Sequence, residues 1–207
     1  MTKGRLAIVG ASTLGQQLLG HAMSIGGFRF VGFFDDFAPH SNSIIGRTTD
    51  ILQRYNNGLF DCLAIGVGYK VMNFRHKMLE SCRGIIPLAS IVHEQAVVDK
   101  TAVIDEGCVL LANVVVDQRV KIGPNCFLSL AATVSHDTTI GASSYLSPKV
   151  TVCGNCDVGK RVFLGAGCVI RDGTSICDDV VVGCGAVVVD DITEPGTYVG
   201  IPSRRIA

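Results

Sequence analysis

The chain contains no tryptophan and only 6% aromatic residues, although 48% of it is hydrophobic. A core with so few rings must be filled by Val, Ile and Leu. Net charge is missing as well, since 18 basic residues balance 18 acidic ones. Neither a nucleic acid nor an anionic membrane surface therefore has an electrostatic reason to bind. No segment approaches the roughly 20 apolar residues of a membrane-spanning helix. The opening MTKGRLAIVG lacks the basic start, long apolar run and cleavage site of a signal peptide, so a cytoplasmic location is expected. Cysteine is not scarce, at nine residues, but zinc-type spacing is: Cys153 and Cys156 form a CxxC pair with no second pair or His cluster to complete it. No metal is expected, and a reducing compartment suits free thiols.

What the chain has instead is a beat. From Val98 to Val188 an aliphatic residue recurs at every sixth position without a break, through Ile104, Leu110, Val116 and onward. A second, mostly small residue lies four positions after each, as at Cys108, Cys126, Ala132, Ser144, Cys156 and Cys168. Neither a heptad nor a period-2 strand fits this hexapeptide repeat. One large and one small inward side chain make one flat side of a β-solenoid, and three sides make a coil of about eighteen residues. Like then stacks on like, giving columns such as Ile104–Ile122–Ile140–Val158–Ile176. The cysteines in the small slot read as compact core residues. Glycine directly follows the aliphatic residue at Gly123, Gly141, Gly159, Gly165 and Gly183, where a corner is expected to need unusual backbone geometry.

Residues 1–88 read differently. An aliphatic run over 5–9 leads into the turn Gly10-Ala11-Ser12-Thr13-Leu14-Gly15. A helical pattern follows and is stopped by Gly26 and Gly27, then a strand over 28–34 ends at Asp35-Asp36. The turn has Ser12 where the dinucleotide fingerprint has its second glycine, which weakens an NAD reading. A phosphate contact through the helix N-terminus remains open. Residues 38–58 are read as irregular with a short helix over 49–55, followed by a strand over 59–65, a helix over 70–82 and a last strand over 84–88. The expected architecture is a small Rossmann-like parallel α/β domain, 1–88, followed by a solenoid domain, 89–207.

A solenoid is featureless until something departs from its repeat, and Ser135-His136-Asp137 is such a departure. Imidazole takes a proton at neutral pH, and an adjacent carboxylate fixes its tautomer. Neighbouring residues on a strand point apart, so the two meet only if a corner bends the backbone between them. A solvated surface histidine is the other reading, and the residues alone leave both open. His21, His40 and His76 read as surface residues, and His93 as a junction residue.

Taken together, Gly10-Ala11-Ser12, Asp35-Asp36, Ala64-Ile65-Gly66, Ile91-Val92-His93, His136-Asp137 and the closing Gly200-Ile201-Pro202-Ser203-Arg204-Arg205 resemble the NeuD/PglD-type sugar O-/N-acetyltransferases of the hexapeptide-repeat acyltransferase superfamily. The resemblance covers essentially the whole chain. It implies a left-handed parallel β-helix, a hand opposite to that of ordinary parallel crossovers, and a homotrimer. It also implies acetyl-CoA as acyl donor with no metal, and His136 as general base supported by Asp137. Coenzyme A is implied to pass Ser147, Gly154, Gly165 and Gly183 and to meet Pro202, Arg204 and Arg205 on a tail of about 196–207. The nucleotide-sugar substrate is implied to lie against Gly10, Ala11, Ser12, Thr13, Leu14, Asp35, Asp36, Gly66 and Ser129. N-acetylation of an amino-sugar nucleotide in bacterial glycan synthesis is the activity expected. Sialic-acid-type O-acetylation and a non-catalytic nucleotide-binding solenoid are the alternatives. Thr13-Leu14, Val67-Gly68, Ser129 and Tyr145 depart from the family's pattern, where His, an Asn pair, Asn and a second His are frequent. They bear on which substrate is used more than on the class of reaction.

Overall fold

The computed structural model describes residues 3–39 and 41–206. His40 lies outside them. The chain divides into two compact units, Met1–Ile91 and Val92–Ala207.

In the first unit β1 (Gly4–Val9), β2 (Phe28–Phe34), β3 (Ile44–Gly46) and β4 (Cys62–Ile65) form a parallel sheet in the order β3-β2-β1-β4. Helix α1 (Thr13–Ile25) follows β1 and buries Gly15, Leu18 and Ala22; α2 spans Ile51–Asn56 and α3 Met72–Cys82. β1 and β4 read as continuous apolar runs because the sheet buries them: Leu6, Ala7, Ile8 and Leu63 are fully buried. β3 lies inside the stretch expected to be irregular. It forms because Gly32 has no side chain to keep Ile45 off β2, and Phe33 N–H reaches Ser43 O at 2.7 Å. The strand expected over 84–88 reduces to a single bridge between Leu63 and Leu88. Pro87 has no N–H to extend the ladder, and Ile85 and Ile86 instead bond back to Cys82 O. Arg75 of α3 is fully buried and donates Nη1 to Ile65 O and Val67 O, both at 3.0 Å, which pins the loop leaving β4.

The second unit is a parallel β-solenoid of left-handed type with three sheets of five, six and eight short strands. Pairing holds a spacing of eighteen up to Val188: Leu128 faces Leu146, which faces Leu164, which faces Val182; at the C-terminal end it shortens to sixteen, where Val182 faces Tyr198. The column expected from Ile104 to Ile176 is present, pair by pair. Small inward residues also act as donors to the next coil. Cys126 Sγ reaches Gly141 O at 3.1 Å and Ser144 Oγ reaches Gly159 O at 2.9 Å. Burial raises the Cys168 thiol to about 12, so it stays protonated in the core. Among the described residues the cysteines are free thiols and no cluster of metal-binding side chains occurs. No helix among them is long and apolar enough to cross a membrane.

The corners correct one expectation. The left-handed backbone falls three positions after the inward aliphatic residue, not one. Asn113, Arg119, Asn125, Ala131, Asp137, Ser143, Lys149, Asn155, Arg161 and Asp179 all hold φ between 54° and 61°. The glycines directly after the aliphatic residue have no such φ; they are there for space. A Cβ on Gly141 would lie 2.5 Å from the carbonyl carbon of Gly159 and 2.7 Å from Lys160 N, both rigid backbone of the next coil. Gly141→Ala should therefore lower stability by about 1–3 kcal/mol by prying coils apart. Gly185→Asn, at φ 67° with open space around it, should change it by less than about 0.5 kcal/mol. Denaturant midpoints of the two variants check this, and equal losses would contradict it.

Candidate active site

His136 and Asp137 sit where the solenoid turns from its six-stranded to its five-stranded sheet, between Val134 and Thr139. Asp137 occupies the left-handed corner slot, φ 58°. That bend brings together two side chains that a strand would hold apart: His136 Nδ1 lies 3.1 Å from Asp137 Oδ2. A neutral imidazole then carries its proton on Nδ1 toward the carboxylate and leaves Nε2 as the basic nitrogen.

The carboxylate is itself clamped. Arg119, eighteen residues earlier in the same corner slot, donates Nε to Oδ1 at 2.6 Å and Nη2 to Oδ2 at 2.7 Å. This planar fork, and after it the imidazole, hold the Asp137 carboxyl down at about 2. Sequence reading missed Arg119. Its signal is the coil spacing, which stacks corner residues eighteen apart.

Gly154, eighteen residues after His136, lies under the ring. A Cβ there would be 2.6 Å from His136 Cε1 and 2.8 Å from Nε2. A bare backbone is what lets the imidazole lie flat against the solenoid. Ser129, Ser147, Gly165 and Gly183 stack in a different column, at the corner leaving the eight-stranded sheet; Ser129 N–H bonds Leu146 O and Ser147 N–H bonds Leu164 O. Ser147 and Gly154 are seven residues apart, about one side of the coil, so one solenoid does not gather all the expected coenzyme residues along one edge. The column beside them is aromatic: Tyr145 stacks on Phe127 with ring centroids 4.5 Å apart and parallel planes.

The tail closes the C-terminal end. Its strand Gly196–Val199 continues the eight-stranded sheet, and Arg204–Arg205 folds back antiparallel to it. Pro202 follows a cis peptide bond. Val199 covers Gly183. Arg205 pairs with Glu194 at 2.7 Å, while the exposed Arg204 donates to Ser203 O at 2.8 Å.

In the first unit a cleft of about 560 Å³ is lined by Gly10, Ser12, Asp35 and Asp36 together with Phe34, Phe37, Thr48, Val71 and Phe74. Three glycines pack it tightly behind: Gly15 against Gly10 O, and Gly66 with its Cβ position 2.8 Å from Gly15 Cα. The first turn is not an open anion site along its whole length. Asp35 Oδ2 accepts the Ala11 N–H at 2.7 Å, and Oδ1 accepts those of Phe37 and Ala38 at 2.8 Å each. Burial pushes the Asp35 carboxyl up, but these three bonds outweigh it and leave the group below its ordinary range. Asp36 accepts the Thr48 N–H at 2.9 Å and its hydroxyl at 2.7 Å. Thr13 and Leu14 open α1 beside Ser12 without lining the cleft. Phe37 is 96% exposed at its mouth, an unburied ring that hydrophobic patterning could not assign. Of the other histidines, His93 Nδ1 accepts the Gln95 N–H at 3.1 Å, and His21 and His76 are half-buried rather than fully at the surface.

Comparison with known proteins agrees with this fold. A family model described as the GMPPB C-terminal domain matches residues 92–190. No curated protein sequence matches. Among solved structures, the acetyltransferase domain of PglB from Neisseria gonorrhoeae in complex with acetyl coenzyme A is 29% identical, with a TM-score of 0.89 and 98% of both chains covered. PerB from Caulobacter crescentus, in complex with CoA and GDP-perosamine, is 25% identical with a TM-score of 0.90, over 100% of this chain and 99% of that one. Fold and full-length likeness define the class: an acyltransferase built on a β-solenoid. Within that class its structural neighbours are hexapeptide-repeat sugar acetyltransferases.

The Asp137 clamp has a measurable signature. Because the folded-state pKa is depressed, the stability it contributes is present above the ordinary aspartate value of about 3.9 and is lost as pH falls toward 2. Carboxyl ¹³C NMR should find Asp137 titrating near 2 in the native protein and moving up toward about 3.9 in Arg119→Met. A variant still titrating near 2 would assign the depression to something other than the clamp.

Proposed function

We propose that the protein transfers an acetyl group from acetyl-CoA to the amine of a nucleotide-linked amino sugar, by direct attack with His136 Nε2 as general base. The observation that carries this reading is the corner itself: an imidazole oriented by Asp137, which Arg119 holds ionised, lying over a glycine that keeps Nε2 clear. The full-length likeness to proteins solved with acetyl-CoA, and with CoA and GDP-perosamine, supports the choice of donor and acceptor class.

In this reading the small unit binds the nucleotide. The apolar walls of the cleft and exposed Phe37 suit a base, and the Thr13 and Leu14 end of α1, with Ser12, suits the diphosphate better than Ala11, whose N–H is taken by Asp35. Asp35 and Asp36 shape the cleft before any ligand arrives. Coenzyme A runs along the solenoid toward Pro202, Arg204 and Arg205. The separate corners that carry Gly154 and the Ser147–Gly165–Gly183 column favour a homotrimer, in which one copy supplies one corner and its neighbour the other. The sugar amine attacks the thioester carbonyl while Nε2 takes its proton, Asp137 stabilising the imidazolium and Ser129 lying among the acceptor contacts. Holding both substrates together supplies much of the acceleration.

A thiol-release assay over UDP-, dTDP- and GDP-linked amino sugars and free sialic acid tests the reading. Turnover with at least one amine is expected, and His136→Ala should lower it by about 10²- to 10⁴-fold. Full activity in that variant would remove His136 from the reaction, and turnover confined to hydroxyl acceptors would replace N- with O-acetylation. Phe37→Ala should raise KM for the sugar nucleotide about tenfold while leaving KM for acetyl-CoA unchanged. An unaltered nucleotide KM would place the base elsewhere.

A further inference from the structure

A sugar amine reaches the protein at neutral pH largely as an ammonium ion. It carries three N–H donors and must lose two protons in becoming an amide. His136 Nε2 is one acceptor for them. A second faces the same point.

The column that runs His136, Gly154 continues at the next coil with Asp172, which is exposed. The position a Cβ of Gly154 would take is 2.8 Å from His136 Nε2 and also 2.9 Å from Asp172 Oδ1. An imidazole nitrogen and a carboxylate oxygen thus converge over one glycine. Nδ1 of the imidazole is turned to Asp137. Among the described residues no hydrogen bond or ion pair occupies Nε2 or the Asp172 carboxylate. Several other corner carboxylates are engaged: Asp137 by Arg119, and Asp178 and Asp179 by Arg161. Asp172 is a charged acceptor left open beside the base.

We propose that Asp172 is a substrate-contacting residue that selects an amine over a hydroxyl: Asp172 Oδ1 and His136 Nε2 each receive an N–H of the incoming sugar ammonium. The proposal rests on the acetyl-transfer reading above. A hydroxyl has a single proton. Bonded to His136, it turns only a lone pair toward the carboxylate and is repelled there, whereas an ammonium satisfies both acceptors and brings a compensating charge. The ammonium gives its first proton to solvent. The nitrogen lone pair then forms the C–N bond at the thioester carbonyl carbon. The C–S bond breaks with its electrons on sulfur, and the second proton passes through His136 to the thiolate. The products are the amide, the free thiol of CoA and one proton.

The test compares Asp172→Asn with the unaltered protein, using a GDP- or UDP-linked amino sugar, its counterpart with hydroxyl in place of amine, and acetyl-CoA. In calorimetric titrations the unaltered protein should bind the amine at least about tenfold more tightly than the hydroxyl counterpart, and Asp172→Asn should erase that preference by weakening amine binding alone. In turnover the variant should show the same rise in KM for the amine with KM for acetyl-CoA unchanged. Because Asp172 is exposed, a matching thermal midpoint is expected and confirms that the variant is folded. Equal affinity of the unaltered protein for amine and hydroxyl would overturn the proposal whether or not turnover is seen. So would a variant whose loss falls on acetyl-CoA. Amine-selective binding without any CoA release would leave Asp172 in its role and overturn the acetyl-transfer reading instead.

Discussion

The parallel ladder between one coil and the next is the constraint from which the second unit follows. Up to Val188 each short strand bonds to the strand eighteen residues away, so the side chains of the inner coils have fixed neighbours above and below them. The inward positions are thereby committed to columns of like residues, and chemistry is confined to the corners. There the left-handed slot recurs every six residues and accepts Asn, Asp, Arg, Lys or Ser with φ near 60°. Stacked corner residues of opposite charge pair as a matter of course, as Arg119 does with Asp137 and Arg161 with Asp179. The second of these pairs has no histidine beside it, which shows that the ion pair is a device of the fold. What distinguishes the Arg119–Asp137 pair is the imidazole in front of it and the glycine one coil on.

Much of this was legible from the residues because the repeat is uninterrupted. The columns, the core role of the cysteines, and the dependence of the His136–Asp137 contact on a corner all follow from the period. Three things did not. Which residue of the corner is left-handed depends on backbone sterics that the position of glycine misrepresents: the glycines after Leu164 and Ile140 clear space for the next coil and leave φ ordinary. Arg119 is invisible to local reading because its partner is a full coil away. Ser147 and Gly154, given a shared coenzyme role by the resemblance, stand at successive corners because seven residues separate them in a six-residue repeat, an offset that the shared role does not reveal.

The first unit shows a different limit. Its turn and its paired aspartates were recognisable, but their mutual engagement was not. Asp35 spends both oxygens on backbone N–H groups, one of them at the very turn where an anion was expected. The residue with the least local explanation in the sequence, Phe37, is the ring most exposed at the cleft. The cleft thus presents apolar walls and one aromatic face, on a scaffold that its own carboxylates tie together.

The central claim is that the corner at His136 is where an amine meets an acetyl thioester. A crystal structure of the protein with CoA and an amino-sugar nucleotide that it acetylates tests this most directly. The account predicts the sugar nitrogen within about 3 Å of His136 Nε2, with the CoA sulfur beside it. A sugar nitrogen bound at any other corner, with Nε2 facing only solvent, would contradict it.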